Sequence, residues 1–341
     1  MNQTLKSIIT DFEFWLIVVA TIGAVANTEG KFKLISFGTL WIVAMAALVV
    51  SHILRKHKLQ KEKNVPFLVV VGKPKNEYRD TLNEVELAWT HHHLNVELIK
   101  KTFRLHQEDW TYYREQKLSS KPKEWRDTLV EIGEKFWSMA ATLPGRKVYH
   151  FIMNGPASLA LALGATIGSR NAFVFYHYMA GTGNSSYHKV IDFSNKNISE
   201  GTHRLKTRVS EFEYVQVLGL ETIPMSRGEV LVAIHLAGHN PSGDVEARSK
   251  DTGLPVVSIQ TQFAGTIPLD IDWIRLSQEV ATVLLNLAGT AHIQRMHLFL
   301  SMPIPIAFSV GAALGKLVRA TVYNSYGRSG EYFEVFKLEE L

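Results

Sequence analysis

Polar residues follow directly after the apolar, strand-like runs of this chain, and their types suit holding a flat, phosphate-bearing ligand. Gly72 and Lys73 follow VPFLVVV, residues 65–71. Asn154, Gly155, Pro156 and Ser158 follow HFIM, and Tyr178 closes a third run. In the C-terminal half, His239, Asn240 and Ser242 follow EVLVAIHL, residues 229–236. Gln260 and Gln262 follow Val256 to Ile259, and Ser301, Met302 and Pro303 follow HLFL. Backbone N–H groups at helix starts bind anions, and aromatic or apolar faces stack on bases. HRLKTR, residues 203–208, would direct Arg204, Lys206 and Arg208 to one face if it formed a strand. His91, His92 and His93 diverge by about 100° each on a helix and are a poor metal set, so no metal is expected. Signatures of bond-breaking chemistry are missing: there is no GxxxxGK[ST], HExxH or GxSxG, and no cysteine. GTG at residues 181–183 and LAG at 236–238 lack the spacing of a dinucleotide fingerprint.

The elements that must position these residues are written twice. HFIMNGPASLALALGATIGSRNAFVFY, residues 150–176, lies without a gap over HLFLSMPIPIAFSVGAALGKLVRATVY, residues 297–323. Seven of the 27 aligned residues are identical: His150/His297, Pro156/Pro303, Ala160/Ala307, Gly164/Gly311, Ala165/Ala312, Gly168/Gly315 and Tyr176/Tyr323. Each copy reads as strand, Pro-containing turn, small-residue helix closed by Gly, and strand. Proline suits the first helical turn, where its missing N–H is not needed. Parallel strands joined through a helix form a right-handed crossover and place ligands beyond their carboxyl ends. The expected fold class is α/β, with two fused Rossmann-like units at residues 65–190 and 191–341. Helices are expected around Glu84 to Phe103, Glu124 to Leu143 and Asp270 to Ala288.

The N-terminus is of another kind. Phe14 to Ala26 and Leu34 to Leu54 are nearly uncharged apolar runs flanking NTEGKFK. The second is long enough to cross a hydrocarbon core of roughly 30 Å at 1.5 Å per residue. Two transmembrane helices are therefore expected at about residues 12–28 and 34–54, with a basic linker at 55–64. Residues 55–63, RKHKLQKEK, hold five Lys/Arg against one Glu, so most of the chain's net charge of +5 is juxtamembrane. That places both termini and the large C-terminal part in the cytoplasm by the positive-inside rule, and it argues against a surface for long nucleic acid.

HLFLSMPIPIAFSVGAALGK and VRATVYN, within residues 297–324, resemble the C-terminal signature of the SAVED domain, a fusion of two units similar to CRISPR-associated Rossmann-fold (CARF) domains. With the apolar hairpin ahead of it, the chain resembles the two-transmembrane SAVED effectors of CBASS anti-phage defence. The resemblance implies a cyclic-oligonucleotide ligand, typically a cyclic trinucleotide, with di- and tetranucleotides as alternatives, and no other cofactor. The expected ligand-binding residues are Lys73, Asn154, Pro156, Ser158, Tyr178, Arg204, Lys206, His239, Asn240, Gln260, Gln262, Ser301, Met302 and Pro303. It further implies a bacterial inner-membrane protein, not an enzyme, whose head-to-tail homo-oligomerisation clusters the hairpins and disrupts the bilayer in abortive infection. Ring-opening of its own ligand, as in some CARF-type domains, is left open. A membrane-anchored nucleotide-dependent enzyme and a ligand-gated channel are the alternatives.

Overall fold

A computed structural model describes residues 63–341 except 93–95, 104, 144, 169–170, 180–186, 195–203, 224–227, 264 and 326–330, together with Ile42, Met45, Ala46, Val49 and Val50. Met1–Glu62 and Lys63–Leu341 are separate compact units. Among the described residues no helix is long and apolar enough to cross a membrane. The two expected spans lie outside those residues, except for the five positions between 42 and 50, which are helical.

Lys63–Leu341 contains two mixed sheets. The first comprises β1 (Asn64–Val71), β2 (Thr111–Arg114), β3 (Val148–Asn154), β4 (Ala172–Tyr178) and β5 (Tyr187–Asp192), in the order β2-β1-β3-β4-β5. All pairs are parallel except β4 with β5. The second comprises β6 (Val215–Leu218), β7 (Gly228–His235), β8 (Val256–Thr261), β9 (Ile293–Ser301), β10 (Ala320–Ser325) and β11 (Tyr332–Lys337), in the order β11-β10-β9-β7-β8-β6. Substituting β7 for β1, β8 for β2, β9 for β3, β10 for β4 and β11 for β5 reproduces the first order, and β6 is an added antiparallel edge. The central strands read as unbroken apolar runs because helices cover both faces; β1 is buried from Val65 to Val71.

The helices are α1 (Lys75–His91), α2 (Val96–Phe103), α3 (Gln107–Trp110), α4 (Pro122–Thr142), α5 (Ala157–Ile167), α6 (Ser242–Thr252), α7 (Trp273–Gly289) and α8 (Ile304–Leu314). The helix expected from Glu84 begins nine residues earlier, because Pro74 is extended and admits a helix immediately after it. The expected division at 190/191 falls inside β5, which pairs with β4 and belongs to the first sheet. Turn-forming residues on both sides of this short edge strand conceal it.

The repeated residues have two uses. His150 Nδ1 meets Tyr176 Oη at 2.9 Å and its Nε2 meets Asn64 at 3.1 Å; His297 Nδ1 meets Tyr323 Oη at 3.1 Å and its Nε2 meets Glu229 at 2.8 Å. Each pair ties together three neighbouring strands. The small residues instead join the halves, since α5 packs directly against α8. A Cβ on Gly164 would lie 1.9 Å from the Phe308 carbonyl oxygen, and one on Gly311 would lie 1.9 Å from that of Leu161. A Cβ on Gly168 would lie 2.4 Å from Ala312 Cβ, so contacts advance in the same direction along both helices and the two run parallel. Glycine at these positions lets the backbones approach. Phe308 then enters the first half, its ring 5.0–5.1 Å from those of Phe151, Phe173 and Phe175.

The segment between the sheets is pinned to α7. Buried Glu279 accepts hydrogen bonds from the N–H groups of Glu213, Tyr214 and Val215 and from Arg275 Nε. Gln278 donates to the Thr207 carbonyl at 2.9 Å.

Gly164→Ala and Gly311→Ala should each destabilise residues 63–341 by about 3 kcal/mol or more, because a backbone carbonyl cannot move aside cheaply. Gly133→Ala, in α4 with open space at its Cβ, should be neutral or stabilise by up to about 1 kcal/mol. Denaturant midpoints check the contrast, and equal effects at all three sites would count against it. A pH dependence also follows. Burial lowers the His150 pKa from 6.5 to about 4, so below pH 6.5 the unfolded chain binds the proton that the folded chain refuses. Stability should therefore fall as pH drops from 6.5 towards 4, with His150 alone contributing about 2 kcal/mol of the loss at pH 5. Denaturation of wild type and His150→Gln at pH 7.5 and 5 measures this, and an equal loss in both proteins would assign it to other groups.

Candidate functional site

Parallel packing of α5 and α8 brings the N-termini of both helices, and hence the carboxyl ends of both sheets, to one end of the unit. Ser158, in the first turn of α5, is buried and donates to Asn324 Oδ1 on β10 at 2.8 Å. On the other side, Ile304 and Pro305 of α8 reach the first half and close a cavity of about 520 Å³. Its remaining walls are Lys73, Glu77, Asp80, Thr81 and Glu84 from the end of β1 and α1; Met153 and Asn154 from β3; and Tyr176, His177, Tyr178 and Tyr187 from β4 and β5.

The chemistry of these walls is uneven. Glu77, Asp80 and Glu84 recur at helical spacing and present carboxylates, while Lys73 is held by Glu77 at 2.8 Å. Phosphates are disfavoured along that wall, whereas amino groups of bases can donate to it. The first turn of α8 lines the cavity through Ile304 and Pro305, and α5 starts shortly after Asn154; the N-cap residues Pro156 and Pro303 supply no side-chain acceptor. In α8 Pro305 has no N–H and Ile306 donates its own to the Pro303 carbonyl, so the unpartnered first-turn N–H groups that attract anions are chiefly those of α5. Tyr178 is 47 % exposed and lies edge-on to Tyr187 at 5.3 Å, which leaves it free to stack on a flat ring. Burial lowers the His177 pKa to about 4; the neutral imidazole packs 5.1 Å from Trp273 of α7. Burial also pushes the Tyr187 hydroxyl up, which keeps it protonated.

The expected residues divide into groups. Lys73, Asn154 and Tyr178 share the cavity, and Pro156 caps the helix beside it. Pro156 and Pro303 occupy N-cap positions just before the first turn, not within it. Ser158 is committed to Asn324 and Met302 is buried. In the second half, Ser301 Oγ donates to the Ala237 carbonyl, His239 pairs with Asp244 at 3.2 Å, and Asn240 accepts from Ser242 N–H at 2.9 Å, so these groups brace their own loop. Gln260 lies within β8, not beyond it, and donates to Ser258 at 2.9 Å; exposed Gln262 follows that strand.

The strand reading of residues 203–208 is corrected. Arg204, Leu205 and Lys206 are helical, with Leu205 buried, so Arg204 and Lys206 do not share a face. Lys206 and Arg208 line a pocket at the opposite, N-terminal ends of the strands. Sequence reasoning missed the acidic face of α1, because the helix was begun too late, and it missed the contribution of Ile304 and Pro305, which requires knowing that α8 crosses to the first half. Among the described residues no group of three or more His, Cys, Asp or Glu could hold a metal.

Comparison with solved structures returns receptors of low identity. Acinetobacter baumannii Cap4 SAVED/CARF-domain containing receptor with 3′3′3′-cAAA is 14% identical with a TM-score of 0.48; the match covers 94% of this chain and 62% of that one. The same receptor with 2′3′3′-cAAA is 11% identical with a TM-score of 0.49, covering 94% and 61%. The Moraxella osloensis receptor is 15% identical with a TM-score of 0.42, covering 64% and 43%. This chain thus spans about three fifths of the length of the Acinetobacter receptor. No curated protein matches it. Residues 201–338, which contain the second sheet and α8, match the family model of the SMODS-associated and fused to various effectors sensor domain, SAVED.

Proposed function

We propose that this protein is a membrane-anchored receptor for a cyclic oligonucleotide, above all a cyclic trinucleotide, and that it serves a CBASS-type anti-phage system. The observation that carries this reading is a cleft built by both halves, at the carboxyl ends of their strands, in a chain whose residues 201–338 match a sensor-domain family. Its cavity of about 520 Å³ falls in the range of roughly 300–1,000 Å³ usual for ligand sites. The phosphates lie over the start of α5, Ile304 and Pro305 of α8 give an apolar wall, a base stacks on Tyr178, and base amino groups donate to Glu77, Asp80 and Glu84. No bond is broken in this scheme. The protein reports ligand occupancy and has no other cofactor.

The membrane part rests on the apolar runs at about residues 12–28 and 34–54. Ile42, Met45, Val49 and Val50 add support: they are helical, follow one another at one-face spacing, and expose 71, 47, 53 and 54 % of their surfaces. Lipid satisfies such a face. Occupancy of the cleft favours a head-to-tail contact between copies, and the resulting cluster of hairpins disrupts the inner membrane from its cytoplasmic side. A heterologous contact of that kind extends without closing.

Titration of residues 63–341 with cyclic di-, tri- and tetranucleotides, followed by sedimentation, tests the receptor reading; 3′3′3′-cAAA and 2′3′3′-cAAA come first in the panel. One cyclic trinucleotide should bind selectively and produce larger species, and Tyr178→Ala should weaken binding by about tenfold through the lost stacking. Absence of binding by folded protein would contradict the reading. Deleting residues 1–54 should preserve binding and abolish toxicity in cells, and a toxic truncated protein would refute the membrane mechanism.

A further inference from the structure

The end of the unit opposite the cleft carries a second surface. A pocket of about 840 Å³ lies where β9 and β10 begin and α8 ends, and it is lined by Lys206, Arg208, Arg295 and Arg319 with no carboxylate. Glu339 holds Arg295 at 2.5 Å. Lys206, Arg208 and Arg319 are exposed and form no ion pair among the described residues. Gly315, with φ 63°, turns the chain out of α8, and the next two residues project beside the pocket: Lys316, which is exposed, and Leu317, which is 96 % exposed.

We propose that this basic surface, with Leu317 at its tip, docks onto an anionic phospholipid bilayer. The proposal rests on the membrane-anchor reading above and adds a second lipid contact, made by the receptor unit itself. Two observations favour lipid over a protein partner. A single large apolar side chain projecting among cations matches the boundary between acidic headgroups and acyl chains, where basic and apolar groups act together. The location agrees as well. Lys63 accepts from Val148 N–H at the start of β1 and β3, and because α5 and α8 run parallel, the strands of both sheets begin at this end. The chain therefore enters the unit, at Lys63, at the end that carries Leu317. Each cation near an anionic surface strengthens partition about fivefold, and salt screens the effect.

Residues 63–341, which carry their own core, allow this contact to be measured without the hairpin. The unit should cosediment with phosphatidylglycerol-containing vesicles at least about tenfold more than with pure phosphatidylcholine, and less at high salt. Leu317→Glu and the combined K206E, R208E and R319E variant should each reduce this to the phosphatidylcholine level. Their melting temperatures should remain at the wild-type value, because the altered side chains are exposed. Equal partition to both vesicle types, or undiminished partition by both variants, would overturn the proposal. So would salt-sensitive self-association through this face without lipid binding. Fractionation of cells expressing the full chain separates the two readings. A membrane-bound full chain with a lipid-inert 63–341 unit removes the docking surface alone, whereas a full chain in the soluble fraction removes the anchor on which it rests.

Discussion

The contact between α5 and α8 is the constraint on which the remainder of the structure depends. Two carbonyl oxygens, on Leu161 and Phe308, occupy space that any side chain at Gly311 and Gly164 would need. Interiors pack at crystal-like density and do not yield to an added methyl group without cost. At that separation Phe308 reaches the aromatic cluster of the first sheet, and Trp125 of α4 reaches Phe333 and Phe336 on β11. The halves consequently share one core, although each has its own sheet. This geometry also sets function, because parallel helices place both sets of strand ends on one side and both sets of strand beginnings on the other.

The two ends differ in charge as well as position. At the cleft, carboxylates of α1 line one wall, and Tyr178 and the apolar start of α8 line others. At the far end, cations surround Leu317 without a carboxylate in the pocket. Under the proposed reading, the first end takes the ligand and the second lies against lipid. Burial keeps His177, at the cleft, and His150, towards the strand beginnings, neutral, so their role is to hydrogen-bond and pack.

Much of the fold was legible in the sequence because duplication preserved the residues that geometry cannot replace. His150 and His297, with Tyr176 and Tyr323, make the same bond in each sheet, and Gly164, Gly168 and Gly311 occupy the helix crossing. The candidate site was less legible. Duplication indicates the carboxyl ends of the strands but not which loops close on themselves, so Asn240, Ser301 and Ser158 looked available although each is engaged by a neighbour. Arg204 and Lys206 alternate as on a strand, yet buried Leu205 and the hydrogen bond from Gln278 to Thr207 hold them at the end of a helical turn. The acidic face of α1 emerges only when the helix is begun at Lys75, and the roles of Ile304 and Pro305 are tertiary.

Amide hydrogen exchange on residues 63–341, with and without a saturating cyclic trinucleotide, tests the shared cleft most directly. The account predicts slowed exchange together in the two halves, at the carboxyl ends of β1 and β3 and in the first turns of α5 and α8, with the strand beginnings unchanged. Protection confined to one half, or located at the Leu317 end, would contradict it.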